Sequence, residues 1–270
     1  MEADGPPDIH PSAVIDRAAA IAPGARVGPG AVISPAARIA AGAIVGPTAV
    51  ILQGARIAEA AEIGAAAVIG EGVSVGARAR IRPGSIVVRN VPPGAIVEGH
   101  PALITGYIDA TKTTPLRRGG PPEEAVEALS VDGVTVHRLQ VVRDLRGGMT
   151  VGEFERSVPF AVRRYYVIYD VPTSEVRGEH AHRECHGFLV CLHGTCSVVV
   201  DDGARREEVL LDSPEIGLYR PPMIWSTQYK YTRDAVLLIF ASHYYDAGDY
   251  IRSYDEFLAE RRKASRPAAG

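Results

Sequence analysis

The chain has little cysteine: three residues in 270, Cys185, Cys191 and Cys196, in one short stretch. An odd, clustered set does not build a secreted disulfide framework. No apolar run approaches the ~18 residues of a membrane-spanning helix. The acidic start MEADGPPD lacks the character of a signal peptide. A reduced, cytoplasmic protein is the expectation. Excess positive charge is also missing, since 29 Lys and Arg stand against 32 Asp and Glu. That balance leaves no basic footprint for nucleic acid or an anionic membrane. Histidine is absent between His10 and His100, which leaves the stretch between them without the commonest acid–base side chain. The length suits two domains of ordinary size, each able to bury its own core.

A repeat fills that stretch. Every sixth residue is Ile or Val at fourteen positions: Ile9, Ile15, Ile21, Val27, Ile33, Ile39, Val45, Ile51, Ile57, Ile63, Ile69, Val75, Ile81 and Val87. Glycine recurs three residues later, as at Gly24, Gly30, Gly42, Gly54, Gly72 and Gly84. A hexapeptide period marks a parallel β-helix, in which three six-residue sides close a coil, giving roughly five coils here. Stiff β-branched side chains stack inward, and the glycines turn the corners. The repeat and its exit, NVPPGAIVEGHPALITGYI at 90–108, resemble the hexapeptide-repeat acyltransferases. The resemblance implies a left-handed coil and, in active members, acetyl-CoA bound between adjacent subunits. Those enzymes have a longer repeat broken by a loop, with a catalytic His or Asn near it. Here the run is unbroken, and His100 stands where the exit motif is expected to have Asn. His10 and His100 both fit surface turns. The expectation is a shortened prism serving assembly, with acetyl-CoA a cofactor only if this domain is active.

Composition changes at residues 111–130, TKTTPLRRGGPPEEAVEALS, which reads as a linker with a helical turn at 123–129. From Val134 the pattern becomes separate strands, with SVVVDDGAR as a hairpin. Many short strands with Gly and Pro turns argue for a β-sandwich or barrel. Tyr250, Ile251, Tyr254, Phe257 and Leu258 have helical spacing near the end. The expected division is a β-helix at 1–108, a linker at 109–130, a β-domain at 131–262 and a disordered tail at 263–270.

The chemistry concentrates in RGEHAHRECHGF, residues 177–188. His180 and His182, two apart, share one face of a strand. They resemble the HxH pair of the cupins, double-stranded β-helix barrels. Metal-binding cupins add a Glu and a later His. Here His186 or Gly187 stands for the first, and Met223 or Trp225 in GLYRPPMIWST for the second, so no metal is expected. The soft donors His180, His182, Cys185 and His186 suit zinc, but a strand would point His182 and Cys185 to opposite faces. Both histidines could instead merely fill the barrel, although burying two on one face is costly without a function.

Four longer segments carry a closer resemblance: RRYYVIYDVP, RGEHAHRECHGFLVCLHGTCSVVVDDG, LLDSPEIGLYRPPMIWSTQY and DAVLLIFASHYYDAGDYIRSYDEF. Together they resemble the dTDP-4-keto-6-deoxyglucose 3,4-ketoisomerases, metal-free cupins of unusual-sugar biosynthesis. Some members are fused behind a hexapeptide-repeat sugar N-acetyltransferase. The resemblance implies a dTDP-linked 4-keto-6-deoxy sugar as substrate and a proton transfer through an enediol. It implies His180 as the base at carbon, His182 as a second acid–base group or an orienting one, and Tyr166 as a relay on the sugar oxygens. Arg164 shares a strand face with Tyr166 and fits an enediolate or a phosphate. Arg177 fits the diphosphate, and Tyr219 and Trp225 fit either pocket lining or core. His186 and His193 read as structural or surface groups; His243 could touch the site from the last strand, although spacing alone does not demand it. Threefold prisms and paired cupins, both usual in the resembling proteins, combine into a trimer or hexamer with a cupin dimer. Two other readings stay open: a bifunctional ketoisomerase and acetyltransferase, and an acetyltransferase whose cupin only binds.

Overall fold

The computed structural model describes residues 5–113, 126–172 and 175–264, and the chain divides into two compact units, 1–108 and 109–270. In the first unit the aliphatic period becomes a parallel β-helix. Fourteen two-residue strands, β1 (Asp8–Ile9) to β14 (Ile86–Val87), each end on one residue of the series. β1 pairs in parallel with β4 (Arg26–Val27), eighteen residues on, so three six-residue sides make one coil. From Val27 onward every series residue is at most 3% exposed. A second column lies two residues before each of them and is mostly alanine, as at Ala25, Ala31, Ala37, Ala43 and Ala49, all fully buried. A methyl group is what the narrow interior admits beside an Ile or Val.

The corners need a left-handed residue. Glycine supplies it at Gly24 and Gly84, but Ala36, Thr48, Ala60, Ala66 and Arg78 adopt φ of 53–58° at equivalent places. Each costs about 1–2 kcal/mol, set against coil-to-coil hydrogen bonds such as Thr48 N–H to Pro29 O at 2.8 Å. β15 (Ala95–Gly99) pairs in parallel with β13 (Arg80–Ile81), and β16 (Ala102–Tyr107) folds back antiparallel on β15. That side of the last coil therefore does not end in a bare parallel edge. One side of the prism presents Val14, Val32, Val50, Val68 and Ile86 in register.

The second unit is a barrel of two six-stranded sheets. One runs β17 (Ala110–Thr113), β26 (Arg206–Leu211), β25 (Cys196–Asp201), β28 (Trp225–Tyr229), β23 (Arg177–His182), β30 (Tyr250–Ile251). The other runs β18 (Val126–Ala128), β19 (Thr135–Arg138), β27 (Ile216–Arg220), β24 (Gly187–His193), β29 (Val236–Ala241), β22 (Arg164–Ile168). A separate hairpin joins β20 (Gln140–Asp144) and β21 (Gly147–Val151). Strand alternation sends Leu189, Val198, Val200, Leu218, Leu237 and Ile239 into a common core between the sheets. The one α-helix among the described residues, α1 (Tyr254–Ala264), seats Phe257 on Trp225, Ala181 and Ile251 outside the first sheet. Apart from this helix and a 3-10 turn at Ala247–Asp249, the described residues form an all-β chain: a β-solenoid followed by a cupin barrel.

Four expectations need correction. Both ends of the expected linker are strands, since 110–113 pair with β26 and 126–128 with β19. The helical turn expected at 123–129 falls partly outside the described residues, and the remainder is β18, because pairing to a sheet edge overrides local propensity. The final helix starts at Tyr254 rather than Tyr250, since Tyr250–Ile251 pair with Ala181–His182. Ser253 Oγ then accepts from Glu256 N–H as the helix begins. The helix also takes in Lys263 and Ala264 of the expected tail, and 265–270 lie outside the described residues.

Candidate active site

The histidine pair faces inward because of a register shift. β23 opens with Arg177 opposite Gln228 and Gly178 opposite Thr227, and regular pairing would set Glu179 opposite Ser226. A bulge sets His180 there instead, with Glu179 at φ 52°. Ser226 and Gln228 lie opposite the core residues Val200 and Val198. The slip therefore turns His180 and His182 from the outer face to the interior. Gly178, at φ 83°, has no room for a side chain, as a Cβ would lie 2.7 Å from Ser226 O.

Hydrogen bonds fix both rings in one tautomer. His180 Nδ1 lies 2.8 Å from Gly178 O and must donate, leaving Nε2 with its lone pair. His182 Nδ1 donates to Asp249 Oδ2 at 2.6 Å. Asp249 Oδ1 accepts from Glu184 N–H at 2.7 Å, and Arg183 ties that loop down through Gly248 O, Tyr250 O, Glu256 and Glu260. The two rings meet edge to face, 4.9 Å between centroids, and Tyr250 packs on both. Burial, then the positive charge of Arg220, push His180 down to about 4. The same two causes depress His182, against the opposing pull of Asp249. Both are neutral bases at pH 7.

Tyr166 and Arg164 point inward from β22, one above the other. Burial pushes the Tyr166 hydroxyl up, opposed by the charges of Arg220 and Arg164, so it keeps its proton. The half-buried Arg164 guanidinium lies 5.5 Å from the ring centroids of both Tyr166 and Tyr245. Arg220 enters from β27, 4% exposed, and donates to Ser226 Oγ at 2.9 Å. Arg177 opens β23 on the inward face but is exposed.

The structure does not bring Tyr219 or Trp225 to this cluster. Tyr219 lies on the outer face of its sheet, beside Phe160 and Phe188, and its hydroxyl is 2.7 Å from His186 Nδ1. Trp225 packs under α1 against Tyr254 and Phe257. Their inward neighbours are Arg220 and Ser226. The expectation that Cys185 and His182 diverge also fails: β23 ends at His182, the chain turns, and donor atoms of His182, Cys185 and Asp249 lie within 4.8 Å of one another. Both Asp249 oxygens are already engaged there, by His182 and Glu184. Sequence reasoning missed Asp249, Tyr250 and Arg220. His193 lies beside Asp234 at the surface, and His243 beside Ser242. Among the described residues no helix is long and apolar enough to cross a membrane.

Fold and cluster together define a cupin equipped for acid–base chemistry. Residues 132–262 match the family model described as FdtA: WxcM-like, C-terminal, and residues 9–98 match the GMPPB C-terminal domain. The chain is 44% identical over 122 residues to the TDP-4-oxo-6-deoxy-alpha-D-glucose-3,4-oxoisomerase of Aneurinibacillus thermoaerophilus, covering 45% of this chain and 88% of that protein. It is similar to the solved structure of QdtA, a sugar 3,4-ketoisomerase from Thermoanaerobacterium thermosaccharolyticum in complex with TDP. The identity is 33%, with 49% of this chain and 97% of that one covered and a TM-score of 0.48. It is also similar to the WlaRB TDP-quinovose 3,4-ketoisomerase from Campylobacter jejuni, at 36% identity, 48% and 99% coverage and a TM-score of 0.47. The chain belongs to the FdtA, WxcM-like family and is an isomerase.

Proposed function

We propose that the second unit converts dTDP-4-keto-6-deoxy-D-glucose to a dTDP-3-keto-6-deoxyhexose. The observation that carries this reading is the pair of neutral histidines on the inward face of β23, each with Nδ1 tied down and Nε2 without a hydrogen-bond partner among the described residues. The C3 proton is acidified by the adjacent carbonyl, so His180 Nε2 can remove it and return a proton at C4. Tyr166, protonated at neutral pH, relays the hydroxyl proton between O3 and O4. Arg164, half-exposed, and Arg177, at the start of β23, suit the diphosphate, where a guanidinium fork matches phosphate oxygens. The test is incubation of the protein with dTDP-4-keto-6-deoxyglucose, with and without acetyl-CoA, and identification of the sugar by NMR. A 3-keto product without acetyl-CoA supports the reading; unchanged substrate refutes it.

Activity should survive exhaustive chelation, because two of the four cupin ligand positions carry residues unsuited to a metal. Loss of turnover with EDTA and its return with zinc would show that His182, Cys185 and Asp249 hold an ion.

We assign the prism to assembly. Its repeat is unbroken, His10 is an exposed residue bonded to Ser12, and its valine side offers β-branched groups in register. The full chain should run as a trimer or hexamer in light scattering. Val50→Asp, a charge at the middle of that side, should release cupin dimers with turnover unchanged; a wild-type monomer would exclude the assembly role. A cupin fragment for comparison must start at 109, since one starting at 131 lacks β17 and β18.

A further inference from the structure

Arg220 is a cation in the wrong place for a structural residue. It is 4% exposed, it donates to the neutral Ser226 Oγ, and its buried Nε has no hydrogen-bond partner among the described residues. A buried guanidinium carries a large desolvation penalty unless an anion matches it. Packing alone does not call for it, since an apolar side chain of similar volume would fill the space at no such penalty. Its plane lies against the backbone at Gly187, where a Cβ would meet Nη2 at 3.2 Å and Nε at 3.4 Å. The fork is thus held between β24 and β28, on the same interior side as the histidines. Its field reaches His180, His182 and Tyr166 alike, in each case as the largest influence after burial.

A cation with no counter-ion among the described residues suits an anion that exists only in passing. The proposed isomerisation makes one. His180 Nε2 takes the C3 proton, the C3–H electron pair becomes the C3=C4 π bond, and the C4 carbonyl π pair moves to O4. The O3 proton then passes through Tyr166 to O4, which moves the charge to O3. As C4 takes the proton back from the histidinium, the π pair forms the C4–H bond and the O3 pair closes the C3 carbonyl. We infer that Arg220 is a catalytic residue whose guanidinium receives the enediolate charge, first at O4 and then at O3, with Ser226 aiming it. This inference rests on the ketoisomerase reading. The two oxygens are cis on a double bond, and a guanidinium spans such a pair with parallel N–H groups. A permanent carboxylate partner would occupy those donors, which accounts for its lack.

The experiment compares wild type, Arg220→Met and Arg220→Lys. Methionine removes the charge while keeping length and apolar volume, so the barrel should remain folded by circular dichroism. It should lower kcat about 10²–10³-fold and leave KM within a few fold. The acid limb of its pH profile should move upward, because a cation that depressed His180 is gone. Lysine should restore part of kcat and hold the limb low. An active wild type with Arg220→Met within threefold of it in kcat overturns the inference, as does a change confined to KM. If wild type leaves dTDP-4-keto-6-deoxyglucose unchanged, the reaction reading fails, and the anion seat is judged by a second probe. Oxalate, a planar dianion with cis oxygens, should shift the ring resonances of His180 and His182 in wild type and not in Arg220→Met. Equal shifts in both, or none in wild type, overturn the seat.

Discussion

His180→Asn should leave a folded barrel and lower ketoisomerase turnover by about 10²–10⁴-fold. Asparagine can keep the donor to Gly178 O that fixes His180, so the strand and its bulge have no reason to move. What it lacks is a basic lone pair in the place of Nε2, and the C3 proton then has no acceptor. The pH dependence gives an independent check. A base works unprotonated, and His180 sits at about 4 rather than 6.5. The acid limb of wild-type kcat/KM should therefore fall near pH 4. Stability must be followed alongside: the folded protein holds these histidines deprotonated where the unfolded chain protonates them. Their contribution is complete above about pH 6.5 and is lost as pH falls toward 4. Near-wild-type turnover in His180→Asn, or a limb at 6.5 with the fold intact, would remove His180 from the mechanism.

The first unit is legible in sequence because each coil repeats the same physical problem. One inward aliphatic residue per six recurs without a break, and the alanine column two residues before it obeys the same period. The barrel is legible by motif and only partly by pattern. Simple alternation from Arg177 does not bring His180 inward; the extra residue Glu179 does, and a bulge leaves no mark on hydrophobic period. In GLYR and IWST one of each adjacent pair must face in. Aromatic residues look like pocket and arginine looks like surface, yet Arg220 and Ser226 are the inward ones because Leu218 and Val200 fix the register. Asp249 was hidden for a different reason. It reaches His182 across 67 residues through a two-residue strand, in a run whose apolar spacing also fits a helix.

Asp249→Asn should cost as much as losing a base, although Asp249 is a positioning residue. One carboxylate oxygen accepts from His182 Nδ1–H and the other from Glu184 N–H, with the Cys185 N–H also directed at the group. Asparagine has the same shape but one acceptor. With its oxygen kept by the backbone N–H, its amide group faces Nδ1 and turns that nitrogen into an acceptor. The imidazole then carries its proton on Nε2, the side left bare in the wild type. An isosteric change of this kind at a histidine–carboxylate pair can cost about 10⁴-fold in kcat through the tautomer alone. If His182 exchanges protons with the sugar, kcat should fall by about 10²–10⁴ with KM little changed. Nitrogen NMR of the imidazole separates this from a merely structural role, because only the tautomer argument requires the proton to move from Nδ1 to Nε2. The acid limb should not rise, since Asp249 holds the His182 pKa up and its loss depresses that ring further. Full activity together with a switched tautomer would show that His182 orients its neighbour and that His180 alone handles the carbon-bound proton.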